Sequence, residues 1–511
     1  MRNKKILYQS LIGGALLALS IHVIAGKRAH AKPELSLASN NTSFEEVDAF
    51  IAEQIKNLNI PGAALAIVEG DRIVHLRSFG EARPGGEPPS PQTPFFIGSL
   101  TKSFTALAVM QLVEADKIEL DAPVQRYLPW FRVADAQASA RITVRHLLNQ
   151  TSGLPAMLGM INLANFDDRP NFAEIQARAL STLVLTRPAG SAFEYSNLNY
   201  DILGLVIEAA SGESYTGYIQ RHIFDPLQMS HSYTLLATAQ QNGLAVGHRY
   251  WFGIPIAEPD LPVPTGSISS GQLISSTEDM SHYLIAQLNE GRYGGVQILS
   301  GPGIDELHRP AAKIVEMGMS FGEYGMGWIS QDSGGARIVS HSGIVPNFGG
   351  FMALASEQKK GLVLLYNANH AMMKMTLDEV GLQAAQVLAG KPSTPPKFGA
   401  ALWVMRAMLL IPILQAIGVA FTLWLENRWR RNPALQPGRK RLWGQHILLP
   451  LIPNLSLVAL VVYLLTSGII RFMQLFTPDV YWIALISGSF AGIWTFLRTG
   501  LILQASRKSR N

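Results

Sequence analysis

The C-terminal end of the chain limits the fold more than any other feature. Three apolar runs, at 407–425, 447–470 and 480–503, each approach the ~20 residues that cross a bilayer as a helix. Lipid tolerates no unsatisfied backbone, so such runs must be helical. Arg428, Arg430, Arg431, Arg439, Lys440 and Arg441 lie between the first and second runs, and Arg507, Lys508 and Arg510 follow the third. The second and third are joined by a short segment in which Arg471 balances Asp479. Positive charge stays on the cytoplasmic side, which places both basic stretches inside and everything before residue 407 outside. Arg498, near the inner end of the third run, is expected to snorkel.

The N-terminus agrees with this orientation. Arg2, Lys4 and Lys5 precede an apolar stretch at 11–25 and the small-residue pattern Ala29-His30-Ala31, a secretory signal pattern over 1–31, with Val23-Ile24-Ala25 as a second cleavage pattern. An uncleaved anchor would leave the following segment exported all the same. Hydrophobic residues make up 48% of the chain against 15% charged, as expected if part of it lies in lipid. The net charge of +5 comes with basic residues beside apolar runs, a membrane signature and not a nucleic-acid one. The absence of cysteine excludes disulfides, thiolate metal sites and cysteine nucleophiles. The expected division is a signal peptide at 1–31, an exported domain at 40–390, a Pro- and Lys-rich linker at 391–406, and three transmembrane helices with a basic loop and tail at 407–511.

The exported domain reads as a helix at 44–58, then a hairpin of strands 63–68 and 72–79 through Glu69-Gly70-Asp71. A helical, loop-rich middle follows to about 245, and strand-like runs return at 327–330, 336–340, 351–355 and 362–366 before a closing helix at 377–388. This order predicts a mixed α/β domain whose antiparallel sheet draws strands from both ends, with the helical middle inserted as a subdomain.

Within it, Ser99-Leu100-Thr101-Lys102 opens a helix-compatible run with no charge between Lys102 and Glu114. A helix beginning at Ser99 puts Lys102 one turn on and on the same face. An uncharged helix is buried nearly all round, and burial lowers a lysine's pKa until the amine can accept a proton. Serine beside such a lysine is an activated nucleophile. The spacing recurs at Ser356-Glu357-Gln358-Lys359, which lies in a polar run between two strands and reads as a solvated turn. Tyr195-Ser196-Asn197 precedes the helix at 200–210, and His341-Ser342-Gly343 ends the strand begun at 336. Taken singly, Tyr195 reads as a core aromatic and His341 as a structural histidine. In this order, with Ser99 and Lys102, they read as one cleft.

The three motifs, S-x-x-K, Y-x-N and H-x-G, resemble those of the penicillin-recognising serine hydrolases, in the branch of class C β-lactamases, low-molecular-weight penicillin-binding proteins, D-aminopeptidases and related esterases. The stretches Ile142 to Pro155, Phe224 to Met229 and Ser275 to Met280 are similar too, so the resemblance spans about 44–388. It implies an α/β (α+β) β-lactamase-like hydrolase domain with an antiparallel sheet and a helical subdomain, followed by the three-helix transmembrane region. It also implies that Ser99 is acylated, that Lys102 accepts its proton and that Tyr195 passes a proton to the leaving group. Asn197 would hold Lys102 or the substrate amide. The backbone N–H groups of Ser99 and Ile344, beside Gly343, would form the oxyanion hole. Acyl transfer then needs no metal or cofactor. His341 stands where many relatives have lysine, a departure that weakens any claim of carboxylate binding.

The plan of signal, hydrolase and three membrane helices is also similar to the prodrug-activating peptidases of natural-product pathways, of the colibactin-maturing type, which remove an N-acyl-D-asparagine group. Asn199 to Glu208 and Pro346-Asn347-Phe348 carry that likeness, whereas Asn197 departs from the serine found there. Asn347 would then meet the substrate carboxamide. The expectation is an enzyme of the cytoplasmic membrane with its catalytic domain on the periplasmic or extracellular side. It would act on a small-molecule or peptide substrate and on no nucleic acid, with any partner transporter left open. A penicillin-binding protein, a D-alanyl-D-alanine carboxypeptidase, an esterase and a weakly catalytic cell-wall binding protein are the alternatives, as is a transport-linked or lipid-processing role.

Overall fold

The computed structural model describes residues 42–167, 169, 171–316, 318–392 and 400–507. The expected signal peptide and residues 393–399 of the expected linker lie outside them. Helix α1 (Thr42–Asn57) leads into strands β1 (Gly62–Glu69) and β2 (Arg72–Gly80), and Gly70, at φ +59°, turns the hairpin between them. After α2 (Thr101–Glu114) the chain is helical, and this middle carries α3 (Asn197–Ser211) and α4 (Tyr215–Ile219). It also includes a short hairpin of β3 (His248–Trp251) and β4 (Ile254–Ala257), and the single turn α5 (Ile268–Gly271). Strands then return: β5 (Ala312–Glu316), β6 (Met319–Tyr324), β7 (Ile329–Ser333), β8 (Ala336–Val345), β9 (Phe348–Ala355), β10 (Lys360–Tyr366) and the short β11 (Ala368–Asn369). Helix α6 (Lys374–Leu388) closes the domain.

Eight strands make one antiparallel sheet in the order β2-β1-β10-β9-β8-β7-β6-β5, so the N-terminal hairpin joins the C-terminal strands through β1 and β10. Both faces are covered. Along β1, Ala64, Ala66 and Val68 pack with α2 and the helical subdomain, while Ala63, Leu65 and Ile67 pack with α1 and α6. That two-residue alternation between two cores is why β1 reads as one apolar run. Full burial contributes about 1.5–3 kcal/mol for each of Leu65, Ile67 and Val68, and less for the alanines. The second S-x-x-K copy forms the exposed turn between β9 and β10, with Lys359 at φ +52°.

Beyond the domain come α7 (Ala400–Ala407), α8 (Leu410–Arg431), α9 (Leu449–Ser467), α10 (Ile470–Phe476) and α11 (Pro478–Arg507). Three of the described segments, Ala401–Arg431, Arg439–Ser467 and Pro478–Ala505, are long and apolar enough to cross a membrane. Helix α7 differs from the expected linker: Leu402 and Met405 are buried in the same core as Tyr250 and Ile51. Arg498 differs too. It is inside the bundle, its Nε donating 3.1 Å to Thr422 Oγ1 and its Nη1 to the His446 carbonyl, so it hydrogen-bonds to neighbouring segments.

The turn between the second and third long helices meets the hydrolase-like domain. Arg249 Nη1 donates to the carbonyls of Gln474 (2.6 Å) and Leu475 (3.2 Å). Asp479 is fully buried and accepts from Phe252 N (2.9 Å), Val480 N (2.7 Å) and His370 Nε2 (2.8 Å). His370 Nδ1 accepts from Met372 N, which fixes the ring proton on Nε2.

Candidate active site

A one-turn 3-10 segment, Gly98–Leu100, delivers Ser99 into α2. Gly98 adopts φ +56°, and a side chain there would lie 2.4 Å from Ile344 N. A side chain on Gly343 would lie 2.1 Å from Ile97 O and 2.9 Å from Ser99 N. Two glycines facing each other thus let β8 lie directly against the start of α2, and they bring the amides of Ser99 and Ile344 together. Ser99 is partly exposed, whereas Lys102 is fully buried.

Lys102 Nζ lies 3.1 Å from Ser99 Oγ, 2.7 Å from Asn197 Oδ1 and 2.6 Å from the Ser270 carbonyl of α5. The last two partners are carbonyl oxygens, which accept and never donate. A neutral amine has two hydrogens and one lone pair. Its hydrogens go to Asn197 and Ser270, which leaves the lone pair for Ser99, the partner whose hydroxyl can donate. Burial drives the Lys102 pKa down, partly opposed by the carboxylate of Asp201.

Tyr195 closes the other side, with its hydroxyl in hydrogen-bonding reach of Ser99 and its ring 4.9 Å from Lys102 Nζ. Burial raises the Tyr195 pKa, so the phenol keeps its proton. The loop bearing it is held by Gln150: its Oε1 accepts from Ser196 N (2.9 Å) and Asn199 Nδ2 (2.5 Å), and its carbonyl from Glu194 N (2.8 Å). Tyr200 donates to the Leu148 carbonyl (2.8 Å) and Ser152 to Asn199 Oδ1 (2.5 Å). The stretch 142–155 is therefore a clamp on the Tyr195 loop.

His341 is buried with Nδ1 2.7 Å from the Ser342 carbonyl and Nε2 3.3 Å from the Tyr324 hydroxyl. A carbonyl must accept, so Nδ1 carries the proton and Nε2 accepts from Tyr324. Burial, with Lys102 and Lys374 nearby, pushes the His341 pKa down to about 3, which keeps the imidazole neutral. A lysine does reach this strand, but from α6: Lys374 Nζ donates to Ser342 Oγ (3.1 Å) and pairs with Asp378.

Ser99, Lys102, Tyr195, Asn197, His341, Gly343 and Ile344 thus converge. Asn347 sits past the end of β8, where its Nδ2 donates to the Glu258 carbonyl (2.9 Å) and its side chain lines an apolar cleft with Phe96, Gln272, Phe348 and Phe476 of α10. Sequence reasoning did not single out Gln150, Asp201, Ser270, Tyr324 or Lys374. The run Ser267-Ile268-Ser269-Ser270-Gly271, small and polar between apolar segments, was the one signal available for Ser270. Among the described residues no His, Asp and Glu cluster could hold a metal ion.

Protein flp of Staphylococcus aureus (strain MW2) is 28% identical over 347 residues, 67% of each chain. Penicillin-binding protein 4 of Amycolatopsis lactamdurans is 28% identical over 307 residues, 58% of this chain and 77% of that protein. The octameric penicillin-binding protein homologue from Pyrococcus abyssi superimposes with a TM-score of 0.59 at 28% identity, covering 68% of this chain and 78% of that one. The profile of the Beta-lactamase family matches residues 47–386. With the site's geometry and a match over most of its length, the chain belongs to the Beta-lactamase family, whose members share a serine-hydrolase fold.

Proposed function

We propose that the protein is a membrane-anchored, exported serine hydrolase that cleaves amide bonds through an acyl-enzyme, as a peptidase of D-amino-acid-containing substrates such as N-acyl-D-asparaginyl amides. The observation that carries the catalytic part is the arrangement of Lys102, with two pure acceptors and one hydroxyl as its partners. Lys102 takes the proton of Ser99 Oγ as the oxygen attacks the carbonyl. The developing oxyanion lies between the amides of Ser99 and Ile344. Tyr195 relays a proton to the departing amine, and water then releases the acyl group by the reverse sequence.

The substrate part is supported by His341, which has no free donor and no charge to offer a carboxylate. Export is supported by Arg249, His370 and the buried Asp479, which hold the domain at the near-neutral turn, while the arginine-rich connection lies at the other end of the same helices. A penicillin-binding or D-alanyl-D-alanine carboxypeptidase role is favoured instead by Lys374, whose ammonium reaches Ser342 from α6. The test compares N-acyl-D-asparaginyl, N-acyl-L-asparaginyl and N-acyl-D-alanyl amides with a chromogenic cephalosporin on the full chain in detergent. Preferred turnover of the D-asparaginyl amide supports the proposal. Preferred turnover of the D-alanyl substrate, or a β-lactam adduct on Ser99 without turnover of any amide, replaces it with the second reading.

A further inference from the structure

Asp201 is a buried ionisable group beside the site that this chemistry leaves unused. It is 7% exposed, and its carboxylate has the hydroxyls of Ser267 and Ser270 within reach but no paired cation other than Lys102 among the described residues. It follows Asn197 by one turn of α3 and faces the same side. Asn197 Oδ1 and the Ser270 carbonyl are the two acceptors that hold Lys102, so a carboxylate flanked by the same elements stands behind the amine.

We propose that Asp201 is a positioning residue that acts through Lys102: its charge sets the proton affinity of the amine, and with it the pH at which Ser99 becomes reactive. This rests on the serine-hydrolase reading above. The groups around Asp201 leave Lys102 as the one cation facing it among the described residues. Helix α4 contributes Tyr215, whose hydroxyl hydrogen-bonds Thr105. Helix α5 and the turn before it contribute serines. On α3 itself Tyr200 is bound to Leu148 and Glu208 to Tyr215 N. Of the neighbouring helices, 144–148 carries Arg145, paired with Asp121 and Glu306, and His146, bound at Thr143. Helix 172–178 carries the Arg178–Glu174 pair. Burial raises the carboxyl pKa and lowers that of the lysine, while their attraction opposes both changes.

The sign follows. An ionised Asp201 stabilises the ammonium and delays formation of the amine as pH rises. Asp201→Asn keeps the shape and removes the charge, so the acid limb of Ser99 acylation should move to lower pH by about one unit or more, with the neutral-pH rate kept within a fewfold. The assay is single-turnover labelling of the full chain by a fluorescent penicillin, from mildly acidic to mildly alkaline pH, with Asp201→Ser as a second neutral variant and thermal unfolding to confirm both are folded. A superimposable acid limb in folded variants, or a uniform loss of rate at all pH values, overturns the proposal. Labelling that persists in Ser99→Ala, or a wild type that neither takes the label nor turns over any of the N-acyl amides above, overturns the hydrolase reading beneath it.

Discussion

Gly343→Ala tests the contact on which the proposed oxyanion hole depends. The added carbon would lie 2.1 Å from Ile97 O, 2.9 Å from Ser99 N and 3.1 Å from the Gly98 carbonyl carbon. All three are backbone atoms, so no rotamer change relieves the overlap. Strand β8 must retreat from α2 by about 1 Å to restore ordinary contact. An oxyanion donor works at 2.7–3.1 Å and loses its effect beyond it, and loss of one donor lowers the rate about 10²–10³-fold, or roughly 2.7–4 kcal/mol. Gly350→Ala is the control, because Gly350 pairs with Gly343 on the next strand and shares its face. There the new carbon would meet Leu365 Cδ2 at 2.8 Å, a side-chain atom that can turn away. Its labelling rate should stay within a fewfold of wild type, with any penalty appearing as stability. The measurement is single-turnover labelling by fluorescent penicillin beside thermal unfolding. A folded Gly343→Ala protein that acylates within about threefold of wild type would refute the reasoning.

Ser99→Ala should abolish covalent labelling and hydrolysis, while Ser356→Ala, in the exposed turn between β9 and β10, should change neither; intact-mass spectrometry of the labelled proteins separates them. Asp479→Ala strands three donors, at Phe252 N, Val480 N and His370 Nε2, of which the fully buried His370 alone costs about 1–3 kcal/mol. The hydrolase domain should therefore unfold at lower temperature in the Asp479→Ala full chain, and an unchanged transition would show that this junction does not support it.

How much of this was legible depended on range. The hairpin of β1 and β2, the strands from β7 to β10 and the helix of Ser99 are encoded by local apolar runs and turn residues, and each lies within a few residues of its expected place. Strands β5 and β6 were not visible because this end of the sheet is open to solvent: β5 is the edge strand, and Val315 on β5 and Met319 on β6 are exposed, so neither carries an apolar run. The β3–β4 hairpin carries Pro255 and the exposed Ile254 and Ile256, so it lacks the alternation that marks a strand. The helix α7 was masked by composition, since its apolar residues merge with the membrane run that follows. Its docking depends on Tyr250 and α1, far away in the chain.

The charge around β8 shows what a motif alone cannot carry. The sequence marks His341 as a departure from lysine and stops there. In three dimensions both ring nitrogens are committed, one as donor to Ser342 and one as acceptor from Tyr324, so the imidazole fills the position without charge. Positive charge instead arrives from Lys374, 32 residues beyond Ser342, and is paired with Asp378 on the same helix. A carboxylate laid along β8 would therefore meet a neutral ring at 341 and an ammonium whose charge is already balanced. Half-exposed and paired, that ammonium contributes little on its own, on the order of 0–1 kcal/mol. Recognition at this strand then draws on hydrogen-bond donors of the backbone and of uncharged side chains more than on charge.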